Sequence, residues 1–184
     1  MSLYLFLNIA SFLIPFLYSF EKRMKYSNRW KVIFPALIIT ALFFIIWDII
    51  FTKIGVWSFN PRYHSGIEFF DLPIEEWLFF VCIPYASIFI HFAFHYFYPN
   101  VALSNKTVKI IYWILMAVLL PTIFIHYNKL YTAINYSVLV LLLTYTVFKV
   151  PNILNTFFIT FVIVLIPFSI VNGILTGSFI DEPV

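Results

Sequence analysis

Long apolar stretches dominate the pattern of this chain, and polar residues are confined to the breaks between them. Six such runs can be marked: Leu3–Phe20, Val32–Phe51, Trp77–Tyr98, Val108–Ile125, Ala133–Phe148 and Ile153–Leu175. About 20 apolar residues in a helix cross a hydrocarbon core of about 30 Å. Unsatisfied backbone is costly in lipid, and a helix satisfies its own. The pattern therefore predicts an all-α, polytopic transmembrane helical bundle of about six helices with no separate soluble domain.

Composition agrees. Of 184 residues, 63% are hydrophobic and 10% charged, and the mean hydropathy is +0.98, too apolar for a soluble domain. The basic cluster "EKRMKYSNRWK", Glu21–Lys31, follows the first apolar run instead of preceding it, so that run is not a cleavable signal peptide. Basic residues favour the cytoplasmic side. Placing the cluster there puts Lys22, Arg23, Lys25, Arg29, Lys31, Lys106, Lys109 and Lys149 inside, and only Lys53, Arg62 and Lys129 outside. The expectation is a multi-pass protein of the cell membrane with an external N-terminus. The net charge of +3 is mostly this bias and gives no warrant for a nucleic-acid partner. Cys82, the single cysteine, lies in an apolar run and cannot build an intrachain disulfide framework. Packing is its expected role.

The loop Thr52–Ile74, "TKIGVWSFNPRYHSGIEFFDLPI", is long and punctuated by Gly55, Pro61, Gly66 and Pro73. Its aromatic residues suit a membrane interface or a lid over a pocket. There is also an internal echo. Asp48-x3-Thr52, followed by Gly55, resembles Asn172-x3-Thr176, followed by Gly177, at an offset of 124 residues. That offset divides the chain into a three-helix repeat over 1–98, a connector helix over 99–127 and an incomplete second repeat over 128–184. The counterpart of "LPIEEW" would fall beyond residue 195, past Val184. A third helix of the second repeat is therefore expected from an extension or a partner.

Candidate chemistry is concentrated in "FFDLPIEEWLFF", Phe69–Phe80. Pro73 fits the first turn of a helix, and Glu75 and Glu76 then follow in that turn, favoured by the helix dipole. On that reading they are an ordinary helix start. Asp48, preceded by "ALFFIIW" near the end of the previous helix, sharpens the picture, because ionisable residues at membrane depth are functional candidates. All three acids should sit at similar depth. Consecutive helical residues point about 100° apart, so only one glutamate can face squarely into a shared pocket. Burial has to outweigh the dipole for a general acid to exist.

His91 and His95 stand at i, i+4, a possible metal pair. No acidic residue neighbours them in sequence, and a zinc site needs further ligands; packing or an interhelical hydrogen bond is expected, with no metal. Aromatic residues, 22% of the chain, either fill lipid-facing positions or offer π-faces to a cation. Four glycines, Gly55, Gly66, Gly173 and Gly177, cannot form a dinucleotide fingerprint. No cofactor is expected.

At this point the chain resembles a family. "WDIIFTKIGVWSFNPRYHSGIEFFDLPIEEWLFF", Trp47–Phe80, with its Trp-Asp, Gly-x-Trp and Pro-x-Glu-Glu elements, is similar to the lycopene cyclase domain of heterodimeric and fused carotenoid cyclases. "VNGILTGSFIDEPV" resembles the start of a second repeat. The resemblance implies cofactor-free closure of lycopene ψ-ends to β-ionone rings, giving γ-carotene and then β-carotene. By that resemblance Pro73, Glu75 and Glu76 carry the family's acidic motif and Asp48 its upstream acid; Glu75 or Glu76 is expected to donate the proton and Asp48 or the other glutamate to remove one, with Trp47, Trp57, Pro73, Trp77 and Asn172 expected to bind substrate. Expected partners are lycopene and other apolar carotenoids, the bilayer, and a second cyclase subunit or a further copy of the chain. A non-catalytic carotenoid-binding or assembly subunit, or a small transporter, would share the apolar bundle. Pigment analysis in a lycopene-producing host separates these readings.

The charge bias carries a direct test. In intact cells a membrane-impermeant thiol reagent should modify Ser58→Cys and spare Ser27→Cys; the reverse pattern would overturn the orientation.

Overall fold

A computed structural model of the chain describes residues 2–179 and 182–184. Ile180 and Asp181, within the proposed start of the second repeat, lie outside the described residues. The described chain forms α1 (Leu3–Tyr18), a short 3₁₀ turn (Tyr26–Arg29), α2 (Trp30–Lys53), a hairpin of β1 (Glu68–Phe69) and β2 (Leu72–Pro73), α3 (Ile74–Phe97), α4 (Asn105–Ile125), α5 (Leu130–Lys149) and α6 (Pro151–Leu175). All six apolar runs are helices. Five are long and apolar enough to cross a membrane, and α1 is a shorter apolar helix. The protein is an all-α polytopic membrane protein.

Most helix surfaces are apolar on the outside. Ile14, Val32, Phe124 and Ile166 are more than half exposed, as expected where hydrocarbon is the solvent. Pro15, Pro35, Pro84, Pro121 and Pro167 lie inside helices. Neighbouring hydroxyls can take up backbone acceptors in such helices. Ser19 donates to the Pro15 carbonyl at 2.6 Å and Ser87 to that of Ile83 at 2.8 Å.

Packing divides the chain into two compact units, residues 1–97 with 163–184, and residues 98–162; the boundary runs through α6. In the second unit, Val108, Tyr112, Met116, Leu119, Leu143, Val147 and Leu154 form the core. The Tyr112 and Thr144 hydroxyls meet at 3.1 Å, which keeps the tyrosine's polar end satisfied.

In the first unit α1 and α3 run parallel and pack along their length, and α2 returns antiparallel against α3. Two polar contacts fix their register. Near the helix starts, the Ser2 hydroxyl meets Glu75 at 2.7 Å. Just past the end of α1 and at the middle of α3, the hydroxyls of Ser19 and Tyr85 meet at 2.5 Å, and the Trp30 indole N–H donates to Tyr85 at 3.1 Å. Tyr85 is fully buried among Tyr26, Ile33, Leu37 and Phe89, with its ring edge-on to Tyr26. The α2 residues Ile33, Leu37, Ala41, Ile45, Asp48 and Phe51 are buried at three- and four-residue spacing, the stripe by which one helix packs on another. Asp48 belongs to that stripe.

Tyr85 ties three segments together, so its hydroxyl should matter to stability. Tyr85→Phe removes its bonds to Ser19, which keeps the Pro15 carbonyl, and to the half-buried Trp30 indole N–H, and should cost about 1–3 kcal/mol. Thermal unfolding in detergent, compared with the parent, reads this directly.

Candidate functional site

The site is built where α2 ends and α3 begins. Asp48 lies in the buried stripe of α2, 5% exposed. The chain then makes the loop 54–67 and the β1–β2 hairpin. Glu68 pairs with Pro73 and Phe69 with Leu72. Between them Phe70 and Asp71 both have positive φ, 56° and 65°, the signature of a type I′ turn. Neither is glycine, so the turn is strained. It is held by fully buried Leu72 and by the Ile74 N–H donating to the Ile67 carbonyl at 2.9 Å. One expectation is corrected here. Pro73 is the last residue of β2, not a residue of the helix; α3 begins at Ile74. Hairpin pairing to Glu68 takes Pro73 at no cost in hydrogen bonds to its absent N–H.

Glu75 and Glu76 are in the first turn of α3, and they diverge. Glu75 is fully buried. One of its carboxylate oxygens accepts from the Ser2 hydroxyl and from the Ser65 backbone N–H, both at 2.7 Å. Its carbonyl accepts from the Asn8 side-chain amide at 2.9 Å. Glu75 thus ties the start of α1 and the loop to the start of α3. Glu76 turns to the other side. Its carboxyl accepts from the Tyr4 hydroxyl and hydrogen-bonds the side chain of Asp48. Asp48 in turn hydrogen-bonds Trp57 of the loop. Two carboxyl groups can bond to each other only with a proton between them, because an ionised carboxylate has no donor.

Aromatic rings flank the pair. Trp47 stacks on Phe51 at 4.8 Å between centroids, and Phe51 on Trp57 at 5.0 Å. Tyr4, 3% exposed, meets Phe79 edge to face at 6.1 Å. Trp77 packs beside Ala41, Ile45 and Leu72, and Phe70 leans on it at 6.3 Å. Among the described residues, no hydrogen-bond partner meets the Trp77 indole N–H.

Of the residues that the sequence proposes, Asp48, Glu76 and Trp57 meet directly, and Trp47 joins through Phe51. Glu75 and Pro73 support the same corner. Asn172 does not join it. It is exposed near the end of α6, where its carbonyl accepts from the Thr176 hydroxyl at 2.8 Å. His91 and His95 hold their rings 4.7 Å apart, farther along α3. Among the described residues no three His, Cys, Asp or Glu side chains are grouped to hold a metal.

Sequence reasoning missed Ser2, Tyr4, Asn8, His64 and Ser65. Tyr4 and Asn8 are polar positions on the buried side of an apolar helix, which was an available signal. His64 is 8% exposed, accepts from the Gly66 N–H at 3.1 Å and lies 3.7 Å from Glu68; nothing in its local sequence announces this.

Fold and site together define an integral-membrane helical protein in which Asp48 of α2 and Glu76 of α3 hydrogen-bond each other among aromatic side chains. A family model described as lycopene cyclase matches residues 1–94 and 128–184, and the chain belongs to the lycopene cyclase family. No curated protein and no solved structure matches it.

The strained turn gives a test of how the corner is held. Asp71→Gly removes the cost of a left-handed residue, about 1 kcal/mol, and should raise the thermal midpoint. An unchanged or lower midpoint would mean that the Asp71 side chain contributes more than its backbone costs.

Proposed function

We propose that this protein is a lycopene β-cyclase in which Glu76 and Asp48 carry the reaction's proton. The observation that supports this reading most is their mutual hydrogen bond within an apolar bundle. The proton of the pair adds to the terminal alkene of a ψ-end, forming a C–H bond and a tertiary cation. The π electrons of the next double bond then form the ring C–C bond and move the cation into the ring. A carboxylate of the pair removes a ring proton, and the alkene re-forms. No electrons are gained or lost, so the step is an isomerisation. Repetition at the other end converts γ-carotene to β-carotene.

Each neighbour has a role in this scheme. The Tyr4 hydroxyl and Trp57 hold Glu76 and Asp48 in place and stabilise the charge left when the proton departs. The aromatic stack of Trp47, Phe51 and Trp57, with Tyr4 and Phe79, offers π-faces to the transient cation; each such contact is worth about 0.5–2 kcal/mol. Glu75 is a positioning residue that keeps the loop and α1 against α3. The tandem-repeat organisation is part of the proposal and is supported by the family match falling in two segments that omit residues 95–127. So is the cell-membrane placement with an external N-terminus, supported by the charge bias. A second cyclase subunit or a further copy of the chain is the protein partner in this reading.

The test is β-carotene against lycopene by chromatography, in a lycopene-producing host, normalised to protein level. Glu76→Gln keeps size and hydrogen bonding but removes the transferable proton, and should lower cyclisation about 10²–10⁴-fold. Asp48→Asn should impair it as well. Tyr4→Phe removes one hydrogen bond to a charged group and should cost about 10–100-fold. Glu75→Gln, His91→Ala and His95→Ala should keep measurable activity. Parental conversion by Glu76→Gln would overturn the acid assignment.

A further inference from the structure

Farther along the same helices lies an apolar groove of about 300 Å³, lined by α1, α3 and the later part of α6. Its position relative to the acids follows from helix geometry. Ile83 and Ile90 line it and stand 7 and 14 residues after Glu76. Seven residues return a helix to within about 20° of the same direction, so these side chains leave α3 on the face that carries Glu76. On α1, Ser11 follows Tyr4 by the same seven residues and also lines the groove. Tyr4 and Glu76 hydrogen-bond each other. At about 1.5 Å rise per residue, the groove runs from about 10 to about 21 Å beyond the acid pair. The edge-to-face rings of Tyr4 and Phe79 lie on the way.

The lining matches a long hydrocarbon. It contains no ionisable side chain. Ser87, one of its few polar residues, spends its hydroxyl on the Ile83 carbonyl at 2.8 Å, so that donor makes no demand on a ligand. Ala10 and Ala86 leave width where larger side chains would close it. The volume is at the lower end for ligand sites, enough for a segment of a long chain whose remainder stays in lipid.

We propose that this groove binds the polyene chain of a linear carotenoid, aligned along α1 and α3 so that its terminal alkene reaches the Asp48–Glu76 pair. The proposal rests on the reading of that pair as the proton-handling site. It adds a binding segment made of groove residues, at which chain length and straightness are selected.

Binding can be measured without turnover. Purified protein in lipid nanodiscs is titrated with lycopene, and retained pigment is read by its visible absorbance and induced circular dichroism. Ala86→Phe fills the groove and should weaken binding at least tenfold, whereas Val118→Phe, on an exposed face of α4 outside the lining, should bind as the parent does. Glu76→Gln should keep parental binding while losing cyclisation. Because a filled groove can disturb folding, a second measurement places Ser87→Cys in a Cys82→Ala background. Its alkylation by a small membrane-permeant maleimide should slow severalfold when lycopene is added. Parental affinity in a folded Ala86→Phe variant, or labelling at residue 87 that ignores lycopene, would overturn the groove; a lipid chain or another helix would then be its occupant. Normal cyclisation by Glu76→Gln would instead sink the acid assignment, and the binding data would still decide the groove.

Discussion

The contact between Asp48 and Glu76 is the constraint around which the rest of this corner is arranged. An acid at membrane depth is expensive, by roughly 2.5–3.5 kcal/mol at a helix centre on insertion scales. Two acids together would be worse unless they shared a proton and found donors. The chain draws the cluster from four separate segments: Tyr4 from α1, Trp57 from the loop, and the acids themselves from α2 and α3. Each donor comes from a different element, so the pair can exist only when the first unit is assembled. The site therefore depends on tertiary packing and cannot persist in a loosened bundle.

That dependence explains why the far end of the unit is so fully bonded. Parallel α1 and α3 are joined by Ser2 and Glu75 at their starts and by Ser19 and Tyr85 where the chain leaves α1. A slip by one residue on either helix would rotate Tyr4 by about 100° away from Glu76. In lipid, apolar contact between helices supplies little preference for one register, because lipid tails are as apolar as leucine. Buried polar pairs supply that preference. Ser19, Trp30 and Tyr85 fix the register at one end, and the site residues inherit it at the other.

Much of this was legible in the sequence. Uninterrupted apolar runs gave six helices at nearly the right limits, since hydrocarbon leaves the backbone few alternatives. Asp48 and the glutamate pair stood out because acids are scarce in such runs. What could not be read was which glutamate turns which way. α3 follows a hairpin whose turn residues are Phe70 and Asp71; aspartate tolerates left-handed backbone, but the bulky Phe70 is a poor candidate for it. Phe70-Asp71 lacks the glycine that usually marks such a turn, and the hairpin moves the helix start to Ile74 and leaves Pro73 outside. Tyr4 was equally hidden. It lies 72 residues from Glu76, and only the α1–α3 register joins them. Asn172 was proposed from a repeat relation between sequences, which carries no information about where its side chain sits in the fold.

The divergence of Glu75 and Glu76 also accounts for why two adjacent acids are present where one would carry a proton. Glu75 takes a serine hydroxyl and a loop N–H on one oxygen, and its carbonyl takes Asn8. With those partners it anchors the loop and α1 to the first turn of α3. Glu76, one residue on and about 100° around, has Asp48 and Tyr4 instead. Fixing the loop through Glu75 also fixes the first turn on which Glu76 is carried, and the same loop delivers Trp57 to Asp48. The geometry thus gives adjacent acids different partners: Glu75 holds the loop and α1 against α3, and Glu76 meets Tyr4 and Asp48.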